Sequence, residues 1–99
     1  MKLTERQKRH LRKLGHQLKP VVMTGSDGLK PSVLAEIELA LDHHELIKIR
    51  VRAGDRGARD ELVGKICEES DAALIQRVGH VALIYRRNPE EARITLPRG

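Results

Sequence analysis

The chain has 99 residues and a formal net charge of +5, with 19 Lys and Arg side chains against 14 Asp and Glu. This length accommodates a single domain, and the positive charge favours a polyanionic partner. Tyr85 is the only aromatic residue among Phe, Trp and Tyr, which excludes an RNA-binding sheet that stacks bases on several aromatic side chains.

Two further features predict the cellular compartment. Cys67 is the only cysteine and has no partner for an internal disulfide, which favours a reducing environment. The apolar runs are too short for a transmembrane helix, and the N-terminal residues lack the apolar stretch of a signal peptide. We therefore expect a cytoplasmic protein that does not bind membranes.

Residues 4–17 are predicted to form the first helix. Thr4 and Gln7 have the spacing of a capping box, and leucines recur at helical intervals up to a glycine, Gly15, placed as a helix end. The other faces of this helix are basic and carry Arg6, Lys8, Arg9, Arg12 and Lys13. A short buried strand is predicted for residues 20–24.

The middle of the chain predicts a helix followed by a strand. A glycine turn at 25–28 precedes a proline suited to the first turn of a helix over about 31–44. Apolar and basic residues alternate over 46–52, which is typical of a strand in a half-buried sheet. We therefore expect Ile47, Ile49 and Val51 to face the core. The opposite face of this strand then carries Lys48, Arg50 and Arg52.

A second glycine turn, at 54–57, leads into a third helix that ends near Ser70. Residues 73–78 and 81–86 are predicted strands joined by Gly79-His80 as a hairpin turn. The order α-β-α-β-α-β-β predicts a single-domain α/β sandwich with three helices and a mixed four-stranded sheet. Its strands join through parallel crossovers and a closing antiparallel hairpin.

The two GxxG turns are candidate phosphate-binding loops. A glycine turn that feeds a helix lets backbone N–H groups and the positive end of the helix approach a phosphate. Glycines three apart also serve ordinary tight turns, and the carboxylate of Asp27 repels a phosphate at the first turn. At the second turn Asp55 has the position of a helix cap, which favours a structural role.

Positive charge is concentrated in residues 1–20, which hold seven basic residues and one acidic residue. Because Glu5 is the only local partner, a polyanion is favoured over a merely solvated surface. For the row of cations on the strand over 46–52, phosphate binding and ion pairing with acidic neighbours such as Glu45 both remain open.

Evidence for catalysis is absent from the sequence. His44-Glu45 begins a zinc-protease pattern, but Lys48 stands where the second histidine is required. No nucleophile triad, Walker loop or paired cysteine motif is found. We therefore expect a protein that is not an enzyme and that has no metal, cofactor or small-molecule substrate.

Three segments together resemble a known family. They are the run LKPVVMTGSDGL over 18–29, the segment from Val33 to Ile49, and the closing Tyr85-Arg86-Arg87. In combination they resemble the CRM domain (chloroplast RNA splicing and ribosome maturation) and are most similar to its bacterial stand-alone members, the YhbY family. The similarity covers nearly the whole chain, so residues 1–99 are expected to form one such domain, with about 88–99 as the candidate for a flexible tail.

The resemblance implies an RNA-binding module with a KH-like GxxG loop and a fold similar to the C-terminal domain of bacterial translation initiation factor three. Bacterial members of the family associate with precursors of the large ribosomal subunit, and plant relatives assist intron splicing. The loop maps onto Gly25, Ser26, Asp27 and Gly28. Many plant members have basic residues between these glycines, whereas this chain has Ser26 and Asp27 there. Phosphate contacts from the backbone of the loop are therefore favoured here over contacts from its side chains.

We therefore expect a monomeric protein that binds ribosomal RNA in precursors of the large subunit and assists ribosome assembly, with ribosomal proteins as further candidate partners. The candidate RNA-binding residues are Arg6, Arg9, Arg12, Lys13, Lys19, Gly25, Ser26, Asp27, Gly28, Lys30, Lys48, Arg50, Arg52, Arg86 and Arg87.

Two alternatives remain open. One is a translation-factor-like module on mature ribosomes. The other is a protein-interaction adaptor that docks a basic partner through the acidic face of the second helix, which carries Glu36, Glu38 and Asp42.

Overall fold

The computed structural model describes residues 2–25 and 27–99. Its elements are α1 (Glu5–Gly15), β1 (Pro20–Met23), α2 (Pro31–His44), β2 (Leu46–Arg50), α3 (Arg56–Ser70), β3 (Ala73–Val78) and β4 (Val81–Tyr85). The sheet order is β1-β2-β4-β3, with β1 parallel to β2 and β4 antiparallel to both of its neighbours. The predicted mixed four-stranded sheet and the element order are confirmed. None of the helices in residues 2–25 and 27–99 combines the length and the apolar character that a membrane-spanning helix requires.

Helix α1 begins with the predicted capping box and ends at the glycine that was expected near its C-terminus, although Gly15 does not adopt the left-handed conformation of a glycine cap. The amide of Gln7 donates to Thr4 Oγ1 at 3.1 Å, and the amide of Thr4 donates to Gln7 Oε1 at 3.0 Å. The helix ends with His16 as a right-handed cap. A Cβ on Gly15 would lie 2.5 Å from a methyl of Leu83, so this glycine allows α1 to approach the sheet.

The helices cover both faces of the sheet. Helices α2 and α3 enclose one core on the face where Ile47, Ile49 and Val51 point, as the alternation of β2 predicted. On the other face, Leu11 of α1 packs in a second core that is completed by Leu46, Ile75, Leu83 and Tyr85.

Strand β1 is an edge strand, so the prediction that it is buried was wrong. It pairs with β2 alone, and its register shifts between Pro20 and Val22. Val22 is buried, but Val21 is 54% exposed and Met23 is 51% exposed.

Residues 88–99, all of which are described, form no helix or strand but contact the body of the protein through Glu45. The buried Glu45 carboxylate accepts backbone N–H bonds from Asn88 at 2.6 Å, Arg93 at 2.7 Å and Ile94 at 2.8 Å. Ile94 and Leu96 pack against the core beneath α1. Of the two interpretations left open for Lys48, Arg50 and Arg52, ion pairing with Glu45 is not observed, because its carboxylate is occupied by these amides.

Candidate nucleic-acid interface

Three turns meet at one edge of the sheet, which we call the loop edge: residues 25 and 27–28, residues 54–55 before α3, and residues 79–80, together with Arg50 and Arg52. The parallel strands β1 and β2 end there, and the antiparallel β4 begins there. Hydrogen bonds tie the turns together. The amide of Arg52 donates to the buried Thr24 hydroxyl at 3.0 Å, and the amide of Val51 donates to the His80 carbonyl at 2.6 Å.

The glycine turn after β1 leaves its backbone accessible. Gly28 has a φ of 83°, a conformation that favours glycine, and a Cβ placed on Gly25 or Gly28 would meet no atom within 4 Å. The Lys30 ammonium lies 3.1 Å from Asp27 Oδ2, so the carboxylate that was expected to repel a phosphate has a neutralising partner. The candidate Ser26 lies outside the described residues.

The start of α2 follows this turn directly and carries no side-chain cap. Lys30 occupies the N-cap position without a capping hydrogen bond, and no acidic residue lies in the first turn. First-turn amides of a helix have no acceptor within the helix, and here they are available to an anion beside the glycine turn. By contrast, Asp55 Oδ1 accepts the Ala58 amide at 2.8 Å, which confirms the cap predicted for α3.

The cations on β2 and just after its end, Lys48, Arg50 and Arg52, which we call the β2 cations, extend this surface. Arg50 and Arg52 are exposed and Lys48 is half-buried. In the part of the chain that the structure describes, none of the three forms an ion pair. A cavity of about 390 Å³ separates the two glycine turns, and Arg52 and Lys65 line it together with Glu61. Sequence reasoning missed Lys65, because an isolated lysine on a mixed-charge helix carries no local signal.

Helix α1 contributes a second basic surface, which we call the α1 stripe: Arg6, Arg9 and Lys13. All three are exposed, and their spacing of three and four residues puts them on one helix face. Arg12 lies outside it, half-buried, 3.9 Å from Glu5 Oε2. Lys19 is exposed where the chain passes from α1 to β1.

Arg86 does not belong to this surface, because its guanidinium is engaged inside the fold. It bonds Glu38 Oε2 at 2.6 Å, Asp42 Oδ1 at 2.9 Å and the Ser70 carbonyl at 2.8 Å. Burial lowers the pKa of Arg86, but hydrogen bonds and charges of Glu38 and Asp42 raise it by more, so the pKa lies above its ordinary value. Arg86 therefore links α2 to the end of α3 and leaves fewer acidic groups for the adaptor alternative.

Arg87 is exposed but far from the glycine turns. It follows the end of β4, whose first residue, Val81, lies at the loop edge. At about 3.4 Å per residue the length of β4 is about 14 Å, so Arg87 lies at the opposite edge of the sheet. The structure thus brings together the glycine turn, Lys30 and the β2 cations and separates them from Arg86 and Arg87.

The side chains that commonly bind metals are dispersed in the described part of the chain. Nowhere among them do three or more His, Cys, Asp and Glu side chains come together in a group that could hold a metal ion. The chemistry available at the loop edge is that of hydrogen-bond donors and positive charge, which suits an anionic ligand.

Comparison with known proteins identifies the family. Residues 3–86 match the model of the CRS1/YhbY (CRM) domain. The chain is 49% identical over 96 residues to an RNA-binding protein of Haemophilus influenzae, covering 97% of this chain and 96% of the relative. It is 43% identical over 90 residues to a protein of Pseudomonas aeruginosa named as a probable RNA-binding protein, covering 91% and 86%. The solution structure of a hypothetical protein from Staphylococcus aureus has a similar fold, with a TM-score of 0.84, 33% identity, and coverage of 97% of this chain and 100% of that one. The chain belongs to the CRS1/YhbY (CRM) domain family, which confirms the resemblance.

Proposed function

We propose that this protein binds ribosomal RNA in precursors of the large ribosomal subunit, in the cytoplasm, and assists their assembly without catalysing a reaction. The observation that supports this most is the convergence at the loop edge of an open glycine turn, the uncapped start of α2 and the exposed Arg50 and Arg52. Relatives that are named RNA-binding proteins support RNA as the polyanion.

Binding would begin with the sugar–phosphate backbone. The absence of a Cβ at Gly25 and Gly28 lets a phosphate approach the main chain, where first-turn amides of α2 donate hydrogen bonds to its oxygens. Arg50 and Arg52 then neutralise neighbouring phosphates. Each such contact releases counterions, so affinity falls steeply as salt rises.

The α1 stripe would extend the contact to a second segment of folded RNA. Its residues lie on a helix that packs on the face of the sheet, whereas the glycine turns lie at its edge. Tyr85 is buried, with 1% of its surface exposed, and is unavailable for stacking. Recognition through tyrosine stacking is therefore excluded, and the spacing of phosphates in the folded RNA would set the preference.

Sedimentation of a gentle lysate tests the proposed role. We expect the protein to migrate with particles lighter than the mature large subunit and to leave them after ribonuclease treatment. Migration with mature ribosomes alone would instead support the translation-factor alternative. Association that survives ribonuclease would support the adaptor alternative.

A matched pair of variants adds a control to this experiment. Arg50→Gln with Arg52→Gln removes two charges at the loop edge and should shift the protein to the top of the gradient. Arg93→Gln with Arg98→Gln removes the same charge from the C-terminal segment and should leave the migration unchanged. If both double variants shifted equally to the top of the gradient, net charge alone, and not the loop edge, would hold the protein on the particle.

A further inference from the structure

The sheet face beneath α1 is only partly covered. Leu11 packs on the half of this face formed by Leu46 and Tyr85, together with Ile75 and Leu83. The half nearer the loop edge stays open as a groove of about 260 Å³. We call it the sheet groove; the residues that matter for its chemistry are Lys48, Arg50, Gln76, Val78, Val81 and Leu83.

The strand register arranges these six residues in two rows across β2, β4 and β3. Arg50 pairs with Val81, which pairs with Val78. In the next row Lys48 pairs with Leu83, which pairs with Gln76. Each row therefore begins with a cation on β2 and crosses an aliphatic side chain on β4.

The dimensions of this surface follow from sheet geometry. Strands lie about 4.8 Å apart, so each row is about 10 Å long, and the two rows are about 7 Å apart along the strands. We call Val78 and Val81 the aliphatic floor of the groove. Val78 is 65% exposed, which leaves this floor open to solvent. The surface is large enough for one flat ring system but too small for a helix.

We propose that the sheet groove binds one unpaired nucleotide of RNA, a proposal that rests on the proposed function. Its base would lie on Val78 and Val81, with an edge within reach of the Gln76 amide. The phosphates on either side would contact Lys48 and Arg50.

The aliphatic floor distinguishes this ligand from duplex RNA. A duplex presents phosphates and sugars and keeps the faces of its bases stacked, so it gains nothing from exposed valines. An unpaired base offers a flat apolar face, and its burial on Val78 and Val81 removes apolar surface of both partners from water. The groove therefore adds a preference for unpaired RNA to the sequence-independent attraction of the loop edge.

The binding of two RNAs to a variant with unchanged net charge tests this proposal. The probes are a short unstructured RNA and the blunt duplex formed by the same strand and its complement. Val78→Thr with Val81→Thr keeps side-chain shape, strand propensity and charge but makes the floor polar. We expect affinity for the unstructured RNA to fall about fivefold to tenfold and affinity for the duplex to change less than about twofold.

Val21→Thr is the matched control, because Val21 is a similarly exposed valine on the edge strand β1 outside the groove. It should leave both affinities unchanged. Gln76→Ala is a second groove variant, which leaves Val78 and Val81 in place. It should lower the affinity for the unstructured RNA and leave the affinity for the duplex unchanged. Thermal unfolding by circular dichroism checks that each variant is folded.

Photo-crosslinking gives a readout that does not depend on any variant. Unstructured RNA that contains 4-thiouridine should crosslink to the tryptic peptide over 78–86, which contains Val78 and Val81. Crosslinks confined to α1 or the glycine turns, or an equal effect of the variants on both RNAs, would overturn the nucleotide site while leaving RNA binding intact. If neither RNA binds the unaltered protein at low salt, the proposed function fails and the groove proposal fails with it.

Discussion

Replacement of Glu45 tests how the C-terminal segment is held. Its buried carboxylate accepts three backbone N–H bonds from residues 88–94, and hydrogen bonds to charged groups contribute about 1.5–3 kcal/mol each. Glu45→Ala removes all three, but the released amides can reach water as the segment detaches. We therefore expect the free energy of unfolding to fall by about 3–5 kcal/mol, less than the full sum.

The backbone at this position adds a second, opposite effect. Glu45 has φ 63° and ψ −43°, a conformation that costs a non-glycine residue about 1–3 kcal/mol. Glu45→Gly loses the same hydrogen bonds as Glu45→Ala but relieves this strain. We expect the glycine variant to be more stable than the alanine variant by about 1 kcal/mol.

Urea unfolding followed by circular dichroism measures these differences, and hydrogen exchange at Arg93 and Ile94 reports the segment itself. Both amides should lose protection in Glu45→Ala. A loss of stability below about 1 kcal/mol, or an alanine variant as stable as the glycine variant, would refute the reasoning.

Three further predictions concern the contacts of Gly15, Arg86 and Tyr85. Gly15→Ala should lower the free energy of unfolding by about 1–3 kcal/mol, because the added Cβ would collide with Leu83. Gly64→Ala is the control at a helical site with open space around the added Cβ, and it should raise the free energy of unfolding by about 1 kcal/mol. Equal effects of the two variants in thermal melts would contradict this account. Arg86→Met should cost about 1–3 kcal/mol, because the Glu38 and Asp42 carboxylates lose their cation but stay 40% and 65% exposed to water, and a neutral effect in urea unfolding would show that the network contributes nothing. Burial raises the pKa of Tyr85, with the charge of Glu45 raising it further and that of Arg87 lowering it. Because the folded state favours the neutral phenol, burial of Tyr85 contributes fully to stability below a pH of about 10, where the tyrosine of the unfolded chain ionises. This contribution is lost as the pH rises through the pKa of Tyr85 in the folded state. Tyr85→Phe should unfold less readily in alkali, and an unchanged alkaline transition would exclude this cause.

Local patterns in the sequence predicted most of the fold. The capping box at Thr4, the proline that opens α2 and the cap at Asp55 act within one helical turn, so their residues are visible together in the sequence. The alternation of β2 likewise depends on neighbouring residues. These elements were confirmed because their causes are local.

The errors have a common physical origin in contacts between distant residues. The exposure of β1 depends on strand order, since only the position at the sheet edge leaves Val21 and Met23 open. Glu45 resembles a surface carboxylate until residues 88–94 fold against it. Arg86 resembles a free cation for the same reason, because its partners on α2 are more than 40 residues away in the chain.

The candidate site was predictable as a set of charges but not as a surface. Composition and spacing predicted a basic surface on α1, with Arg12 included in it, and the glycine turn. The arrangement of β2 cations beside the turn, and the separation of Arg87 from it, follow from the parallel pairing of β1 with β2. Residue pairs such as Lys30 with Asp27 further decide which charges remain available to a ligand.

RNA binding across a series of salt concentrations tests the central claim, that the loop edge contacts phosphates. Fluorescence anisotropy would compare the unaltered protein, Arg50→Gln with Arg52→Gln, and the control Arg93→Gln with Arg98→Gln. Loss of two phosphate contacts should reduce the slope of log affinity against log salt by about 1.4–1.8 in the loop-edge variant, and the control should keep the original slope. An unchanged slope in the loop-edge variant, or an equal reduction in the control, would contradict the claim.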